Sequence, residues 1–286
     1  MSKDLTSIAR LLEAAEVTFI TTQIQTIKQL PSFPNNAFSV QSLGSGVLAI
    51  TKPSFVWKLN QVAGWGMDGP VTEHDIEIIE EQFAEIDCPV YLNICPLAHP
   101  SARELLVRRG YEVCWTYMAV HVVALEEYQV PTAEDENHNA SDIEIIRVSE
   151  DVQGKGSFIT SSVEGFAPGG RSLDLLETLA EAAALRPDTQ LYIAKIGGEI
   201  AGSAGLAFLT TPSGRVAELY IDSTVPEFRG RGVQAALMRA RLADAKEKGF
   251  DVAVVTARPG TGSARNAVRV GFELAYTRET FTKVVG

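Results

Sequence analysis

The chain has 286 residues, 45% of them hydrophobic, and is therefore long enough for two domains with a core each. Its net charge of −11 argues against broad nucleic-acid binding, and no apolar run approaches the 18 residues that suggest a membrane span. Because the N-terminus lacks a signal-peptide pattern and the three cysteines are scattered, we expect a cytoplasmic protein with reduced thiols and no metal site.

The first half of the chain begins with a helical segment and continues with strands and helices. Apolar residues recur at helical spacing near the N-terminus, at Leu5, Ile8, Leu11 and Leu12. They predict an amphipathic helical extension within residues 1–30. Residues 55–62 read as a strand, residues 73–86 as a helix that begins with a capping box of Thr72 and Asp75, and residues 90–94 as a strand. We therefore predict a first domain over residues 1–130.

A polar segment separates this half from the next one. Residues 131–141 contain almost no apolar side chains and read as an exposed linker to a second domain at 142–286. The second domain shows strands first and then alternating strands and helices. Its strands are predicted at 143–148, 191–196, 200–209, 216–221, 252–256 and 273–283, the last as one strand or a pair, and its helices at 150–166, 173–185, 233–248 and 263–270.

A glycine-arginine loop joins the strand at 216–221 to the next helix. Arg229, Gly230, Arg231 and Gly232 follow a turn at Pro226. Glycines allow the backbone to approach a ligand closely, and the start of a helix offers unpaired N–H groups and the positive end of its dipole. The loop therefore predicts a socket for phosphate oxygens, to which the arginines can add charge-assisted contacts. Residues 229–269 as a whole carry nine basic and three acidic side chains.

Three interpretations of this loop remain open from the residues themselves. The spacing Gly230-x-Gly232-x-x-Ala235 matches a dinucleotide fingerprint, for which Asp251 would be the later acidic residue, although it starts the next strand rather than ending it. A plain strand-to-helix turn with solvated arginines is the second interpretation. The third, which we favour, is a site for the diphosphate of coenzyme A.

Two segments resemble the signatures of a known family. The loop, preceded by Val225-Pro226 and followed by Val233-Gln234, resembles the Arg/Gln-x-x-Gly-x-Gly/Ala motif of the GNAT (general-control-related N-acetyltransferase) superfamily. The segment from Ser263 through Asn266 to Gly271-Phe272 resembles its second signature, a short helix that ends in Gly-Phe. The resemblance covers roughly residues 142–286. It implies an α/β (α+β) fold in which a mixed, mostly antiparallel, twisted sheet is flanked by helices.

The resemblance also implies an activity and a cosubstrate. The expected function is an N-acetyltransferase that moves the acetyl group of acetyl-CoA directly to a primary amine of a small molecule in a ternary complex. In this family the pantetheine arm lies where the strand before the loop splays from its neighbour. The predicted coenzyme-binding residues are Ser223, Thr224, Val225, Arg229, Gly230, Arg231, Gly232, Val233, Gln234, Ser263 and Asn266. Gln234 stands where the family prefers Gly or Ala, and could reach a phosphate or crowd the loop.

The catalytic groups are less directly indicated. Glu218, among apolar residues on the strand before the loop, is the candidate general base, with a solvent-facing strand glutamate as the alternative. The family often carries a tyrosine as general acid four residues before Gly-Phe, but Ala267 stands there. Tyr276 is the predicted substitute and Tyr220 a second one, and both can instead be ordinary strand aromatics.

The first half resembles a second copy of the same plan. Ser101-Ala102-Arg103 before Gly110-Tyr111 parallels the Ser263 segment, whereas the loop at 64–70 has glycines and Asp68 but no arginine. We predict two GNAT-like domains, of which the first is degenerate and has lost its coenzyme site. Since residues 1–141 hold 18 of the 36 acidic but only 8 of the 25 basic residues, a cationic amine is the expected acceptor. We expect a monomer or homodimer, and the alternative function is an acyl-CoA-binding regulatory module without turnover.

Overall fold

The computed structural model describes residues 4–33, 38–129, 142–149 and 151–284. The chain forms two compact units. Unit 1 comprises Met1–Val120, Thr211–Ser213 and Leu274–Gly286, and unit 2 comprises His121–Thr210 and Gly214–Glu273. Each unit contains strands of a mixed, mostly antiparallel sheet flanked by helices, which confirms the predicted fold class.

Unit 1 consists of the N-terminal helices and strands of the chain together with a strand contributed by the C-terminal segment. Its elements are α1 (Leu5–Ile27), β1 (Ser39–Leu43), β2 (Gly46–Ile50), α2 (Val56–Leu59), β3 (Gln61–Ala63), α3 (Glu73–Glu85), β4 (Val90–Ile94), α4 (Pro100–Arg108) and the first part of β5 (Glu112–Ala124). The strand order is β1-β2-β3-β4, and only β3 and β4 of these are parallel. The core packs Trp65 and Phe83 against these strands, as apolar burial requires.

Unit 2 carries the segment with the two predicted signatures. Its elements are β6 (Ile143–Arg147), α5 (Val152–Phe166), α6 (Leu173–Leu185), β7 (Thr189–Ile196), β8 (Glu199–Thr211), β9 (Gly214–Thr224), α7 (Val233–Glu247), β10 (Val252–Ala257) and α8 (Gly262–Val270). The strand order is β6-β7-β8-β9-β10, in which β9 and β10 are parallel and β6, β7 and β8 pair antiparallel. One core cluster lies under α7 and α8, and a second packs residues of α5 and α6. The helices therefore cover both faces of the strands.

The last strand differs from its predicted placement. β11 (Glu273–Lys283) was expected in the second domain, but from Leu274 onward it belongs to unit 1. There it pairs antiparallel with β4, from Glu279 beside Ile94 to Lys283 beside Val90. The boundary on the N-terminal side lies inside β5, between Val120 and His121, rather than at residue 130. The predicted linker at 131–141 lies outside the described residues.

A second difference concerns residues 55–62. They were expected to form a strand, but a 3-10 turn at Pro53–Phe55 leads into α2, and β3 contains only Gln61–Ala63. Phe55 and Leu59 are buried, so the apolar pattern was correct and its interpretation as a strand was wrong. A short apolar run does not by itself distinguish a strand from a buried helical turn.

The helix prediction for α3 is confirmed in detail. Thr72 accepts a hydrogen bond from the backbone N of Asp75, and the Asp75 carboxylate accepts one from the backbone N of Thr72. This reciprocal pair is the predicted capping box. In the described parts of the chain, no helix has both the length and the apolar character needed to cross a membrane.

Candidate functional site

A cleft of about 670 Å³ lies within unit 2, where the C-terminal ends of the parallel strands meet the starts of two helices. It is bounded by the end of α5, the end of β9, the loop before α7, and one side each of α7 and α8. Most of the predicted coenzyme-binding residues line it, namely Ser223, Thr224, Arg229, Gly230, Gly232, Val233, Gln234, Ser263 and Asn266. The lining residues do not include Val225 and Arg231.

The loop owes its shape to its two glycines. A 3-10 turn at Pro226–Phe228 follows β9, and Gly230 and Gly232 then have φ values of +79° and +86°. Residues with a side chain rarely adopt such angles. A Cβ at Gly230 would meet no heavy atom within 4 Å, and one at Gly232 would meet only Ile143 Cδ1, at 3.9 Å. Glycine is thus required by backbone conformation, and the space beside it is open.

The backbone amides of the loop divide into used and available donors. Phe228 N donates to Val225 O, Arg229 N donates to Pro226 O, and Ala236 N donates to Gly232 O. For the six amides from residue 230 to residue 235, the described residues supply no protein acceptor. The N-cap of α7 is Gly232, which has no capping side chain. Several N–H groups at the positive end of a helix dipole are therefore available to an anion beside the cleft.

The two loop arginines have partners that the sequence did not indicate. Arg229 donates from Nη2 to Gly165 O at 3.0 Å and from Nε to Thr224 O at 3.4 Å, and so ties the loop to the end of α5. Arg231 is exposed, and its guanidinium lies 5.5 Å from the centre of the Phe228 ring. The direct contacts with an anion that were predicted for both arginines stay a prediction. In the structure, Arg229 positions the loop.

Gln234 connects the loop helix to α8. Its Nε2 donates to Ser263 Oγ at 3.1 Å, and its Oε1 accepts from Asn266 Nδ2 at 2.8 Å. Neither predicted behaviour, reaching for a phosphate or crowding the loop, describes this orientation. The sequence could not have revealed it, because the partners lie 29 and 32 residues away. Gln234, Ser263 and Asn266 together form one wall of the cleft.

Replacing Gln234 tests what this wall contributes. Gln234→Met keeps the side-chain length but removes both hydrogen bonds, so we expect the free energy of unfolding to fall by about 1 kcal/mol. We expect coenzyme A binding, measured by calorimetry, to weaken several-fold, because α8 is no longer held beside the loop. Asn266→Ala breaks the same network from the other side. The effects of the two changes should therefore be less than additive in the double variant, and full additivity would contradict a shared network.

β9 separates from β10 next to the cleft. Their parallel register runs from Val252 beside Val216 to Val255 beside Leu219, and it is not continued although β9 extends to Thr224. Ile221 has a φ of +52°, which is unusual for a β-branched residue and marks an irregularity in the strand. The described part of β9 beyond Leu219 thus leaves an open edge towards β10. This is the splay that the family resemblance implied.

A buried ion pair holds the irregular end of β9. Arg241 of α7 is fully buried and makes a bidentate ion pair with Asp222, with Nη1 at 3.0 Å from Oδ2. Its Nη1 also donates to Gly205 O at 2.9 Å. The guanidinium therefore connects α7, β8 and the strand end, which suits its planar, forked geometry. The sequence analysis missed both residues of this pair, since nothing local marks them.

The end of β9 is held by hydrogen bonds as well. Ser223 is buried, its Oγ lies 2.9 Å from Ser203 Oγ, and it donates to Ser161 O at 3.2 Å. The backbone N of Val225 donates to Ala201 O, so that amide is already used within the protein. The side chain of Ser223 thus anchors β9 to α5. The Ser223 side chain and the Val225 amide therefore already have partners within the protein.

The candidate base lies on the strand as predicted. Glu218 is 8% exposed, pairs with Val254 across the parallel register and shares a strand face with Tyr220. Tyr220 packs against the core cluster of α5 and α6, so Glu218 faces the side of β9 opposite to α7. The family often has its tyrosine at the position of Ala267. This residue lies on the buried face of α8 and is fully buried in the core cluster.

The two tyrosines named as possible acids both have protein partners. Tyr276 belongs to unit 1, and its hydroxyl donates to Glu13 Oε1 at 2.7 Å. Burial, followed by the Glu13 charge, raises the pKa of Tyr276 above its usual value. The Tyr220 hydroxyl lies 2.8 Å from Thr189 Oγ1, and burial raises the pKa of Tyr220 to about 12. We do not carry Tyr276 into the mechanism as a general acid, because its proton is engaged by a carboxylate in unit 1.

The dinucleotide interpretation of the loop is not supported. Asp251 immediately precedes β10, and its Oδ2 accepts a hydrogen bond from the backbone N of Arg215 at 2.8 Å. A ribose-binding carboxylate belongs at the other end of that strand, next to the phosphate loop. Asp251 instead caps the start of the β9–β10 pair.

Comparison with known proteins agrees with this geometry. Residues 161–272 match the acetyltransferase (GNAT) family. The matched region begins within α5, ends at Phe272, two residues after α8, and contains the loop, the open edge of β9 and the cleft. Acyl transfer from acetyl-CoA is the chemistry of that family. No curated protein matches the chain.

Solved structures with the same fold extend over both units. A GCN5-related N-acetyltransferase from Kribbella flavida is 17% identical, with 94% of this chain and 96% of that chain covered and a TM-score of 0.65. A tandem GNAT protein from the clavulanic acid biosynthesis pathway is 14% identical, with 98% and 95% covered and a TM-score of 0.62. A third, from Sphaerobacter thermophilus, has a TM-score of 0.56 at 16% identity, with 99% and 93% covered. At these identities the likeness establishes the fold.

Proposed function

We propose that this protein is an N-acetyltransferase that moves the acetyl group of acetyl-CoA directly to the primary amine of a small molecule. The observation that carries the proposal is the row of available amides from residue 230 to residue 235, at the start of α7 and beside the open edge of β9. It lies in the region that matches the acetyltransferase family. In the proposed reaction, both substrates are bound together when the acetyl group moves.

The loop suits the diphosphate of the coenzyme on physical grounds. Backbone amides at a helix start donate to phosphate oxygens without any side-chain rearrangement, and the helix dipole favours the negative charge. The only carboxylate among the described lining residues is Asp222, which is neutralised by Arg241. An anion entering the cleft therefore meets donors and no unpaired acid.

The open edge of β9 suits the pantetheine arm. That arm carries two amides, which can hydrogen-bond to a strand edge in the manner of an added strand. Beyond Leu219, β9 has no register with β10, so backbone groups on this edge can serve the arm. With the arm bound in this way, the thioester would lie near the residues of β9 that precede the irregularity at Ile221. Glu218 is three residues before Ile221 on the same strand.

Glu218 is the group we assign to deprotonation of the acceptor. An amine attacks only when it is neutral, so its proton has to pass to a base directly or through water. A carboxylate that is 8% exposed on the splayed strand is suited to that transfer. The attacking nitrogen then forms its bond to the acyl carbon, and the coenzyme departs as a thiolate that takes up a proton.

The first half provides an internal comparison. We propose that unit 1 is a degenerate copy without a coenzyme site. The start of α3 is closed by its own capping box and carries Glu73 and Asp75 in the first turn, which disfavour an anion. In the preceding loop, Met67 N donates to Ser45 Oγ at 3.0 Å, and Trp65 is 2% exposed in the core. The start of α7, by contrast, has no capping side chain and no acidic residue in its first turn.

A binding module without turnover is the alternative function, and one observation favours it. Ala267 is fully buried and has no hydroxyl to protonate a leaving thiolate. Calorimetric titration with coenzyme A tests binding, and release of free thiol from acetyl-CoA across an amine panel tests turnover. Binding without thiol release for any amine would favour the module over the enzyme.

Glu218→Gln is the test of the proposed base. We expect the turnover number with the best amine of that panel to fall by about 10²- to 10³-fold, because the amide cannot accept the proton. The affinity for coenzyme A should stay within about two-fold. Glu227→Gln removes an exposed carboxylate in the 3-10 turn and serves as the matched control, with an unchanged rate expected. A Glu218→Gln variant that kept the parent's rate and pH–rate profile would show that another group is the base.

A further inference from the structure

Beyond the diphosphate loop, the cleft continues as a groove between α7 and α8 with a basic side chain on each wall. Arg239 of α7 and Arg269 of α8 both line it. Ala235 and Arg239 are four residues apart and thus share one face of α7, while Asn266 and Arg269, three apart, share one face of α8. The groove therefore runs away from the loop along one face of α7 and one face of α8. The nucleotide end of a bound carrier would leave the loop in this direction.

Among the described residues, no carboxylate is paired with either arginine. No acidic acceptor is described for the Arg239 guanidinium in the residues that the structure covers, and Arg269 donates only to the neutral amide oxygen of Asn266, at 3.3 Å. Below them, the Tyr128 hydroxyl is buried without a hydrogen-bond partner among the described residues. Burial raises the pKa of Tyr128, and the Arg239 charge acts in the opposite direction.

The distance from the loop fits a specific chemical group. Arg239 lies seven residues after Gly232, about 10 Å along the helix axis. Side chains on a helix lean towards its N-terminus, so the guanidinium reaches back towards the loop amides. In coenzyme A, the diphosphate is followed by one ribose, whose 3′ oxygen carries a phosphate monoester. One ribose and one arginine side chain span that distance.

From these observations we infer that Arg239 and Arg269 form a subsite for the 3′-phosphate of the coenzyme, so that the protein selects 3′-phosphorylated coenzyme A over its dephosphorylated precursor. The inference rests on the proposed function, since it assumes that the diphosphate occupies the loop. The monoester is a dianion near neutral pH, and arginine is suited to it because two N–H groups can donate in parallel. Two guanidinium groups without a described acidic partner supply those donors.

Calorimetric titration with coenzyme A and with 3′-dephospho-coenzyme A tests the inference. We expect the dephosphorylated compound to bind the parent protein about tenfold or more weakly, as the loss of a charge-assisted contact implies. In Arg239→Gln, the affinity for coenzyme A should fall towards that of the dephosphorylated compound, whose own affinity should not change. The selectivity of the parent should also shrink as salt is raised.

Arg265→Gln is the matched control. Arg265 is an exposed arginine on α8 that does not line the cleft and donates to Gly260 O, so its loss removes the same charge and should leave the selectivity intact. Equal affinity of the parent for the two compounds would overturn the 3′-phosphate subsite while leaving the loop assignment standing. Failure of both compounds to bind would overturn the proposed function, and the subsite with it.

Discussion

Gly232→Glu is expected to weaken coenzyme A binding by about 100-fold or more in calorimetric titration while the chain stays folded. The new carboxylate would lie beside the amides at the start of α7, within a few ångströms of the proposed diphosphate site. Like charges at such distances repel by several kcal/mol near a protein surface, and 100-fold corresponds to about 2.8 kcal/mol. The fold should tolerate the side chain, because a Cβ at this position meets nothing closer than 3.9 Å.

Gly232→Lys separates charge from backbone strain. Both side chains pay for the positive φ of +86° at this position, roughly 1–2 kcal/mol, and both are long and flexible. Only the glutamate adds negative charge, so Gly232→Lys should bind coenzyme A at least tenfold more tightly than Gly232→Glu. In thermal unfolding, Gly232→Glu should be the more stable of the two variants by no more than about 1 kcal/mol, because a helix start favours negative charge. Equal affinities for coenzyme A would mean that the loop does not hold an anion.

Arg278→Met is expected to lower the free energy of unfolding by about 3–5 kcal/mol. Arg278 on β11 is 4% exposed and donates from Nε to Glu13 Oε1 at 2.8 Å, while its Nη1 lies 3.1 Å from Glu16 Oε2. Burial alone would lower the pKa of Arg278, but the two carboxylates outweigh it and hold that pKa well above its usual value. Removing the guanidinium leaves both carboxylates in unit 1 without their cation. Denaturant titration measures the loss.

The control lies on the same unit and has the same charge. Arg103 pairs with Glu279 at 3.4 Å, but its side chain is 55% exposed, so Arg103→Met should cost no more than about 1 kcal/mol. A loss as small as that of Arg103→Met would contradict a buried, coupled cluster.

The features that the sequence predicted correctly depend on neighbouring residues. The loop follows from its glycines, which alone adopt the positive φ values at Gly230 and Gly232. α8 was predicted closely, and it begins with the Thr261 side chain accepting from Ala264 N and ends at Gly271 in the left-handed conformation. Such signals act over three or four residues, so they can be read without the fold.

The features that the sequence did not predict depend on distant partners. Tyr276 looked like a possible acid until the structure showed its hydroxyl on Glu13, 263 residues away. Nothing near Arg229 in the sequence indicated that it donates to Gly165 O, 64 residues away. The type of a side chain limits what it can bind, whereas the packing of remote elements decides which partner it meets.

By itself, the sequence determined that this chain carries a glycine-rich turn before one helix and a Gly-Phe end after a later one, because φ preferences and helix caps are local. The tertiary structure alone decided that β11 pairs with β4 in unit 1, that Gln234 spans to α8, and that six loop amides stay available. The physical reason is that hydrogen bonding and burial are satisfied across the whole fold, and many distant partners are chemically equivalent until packing brings one of them within reach.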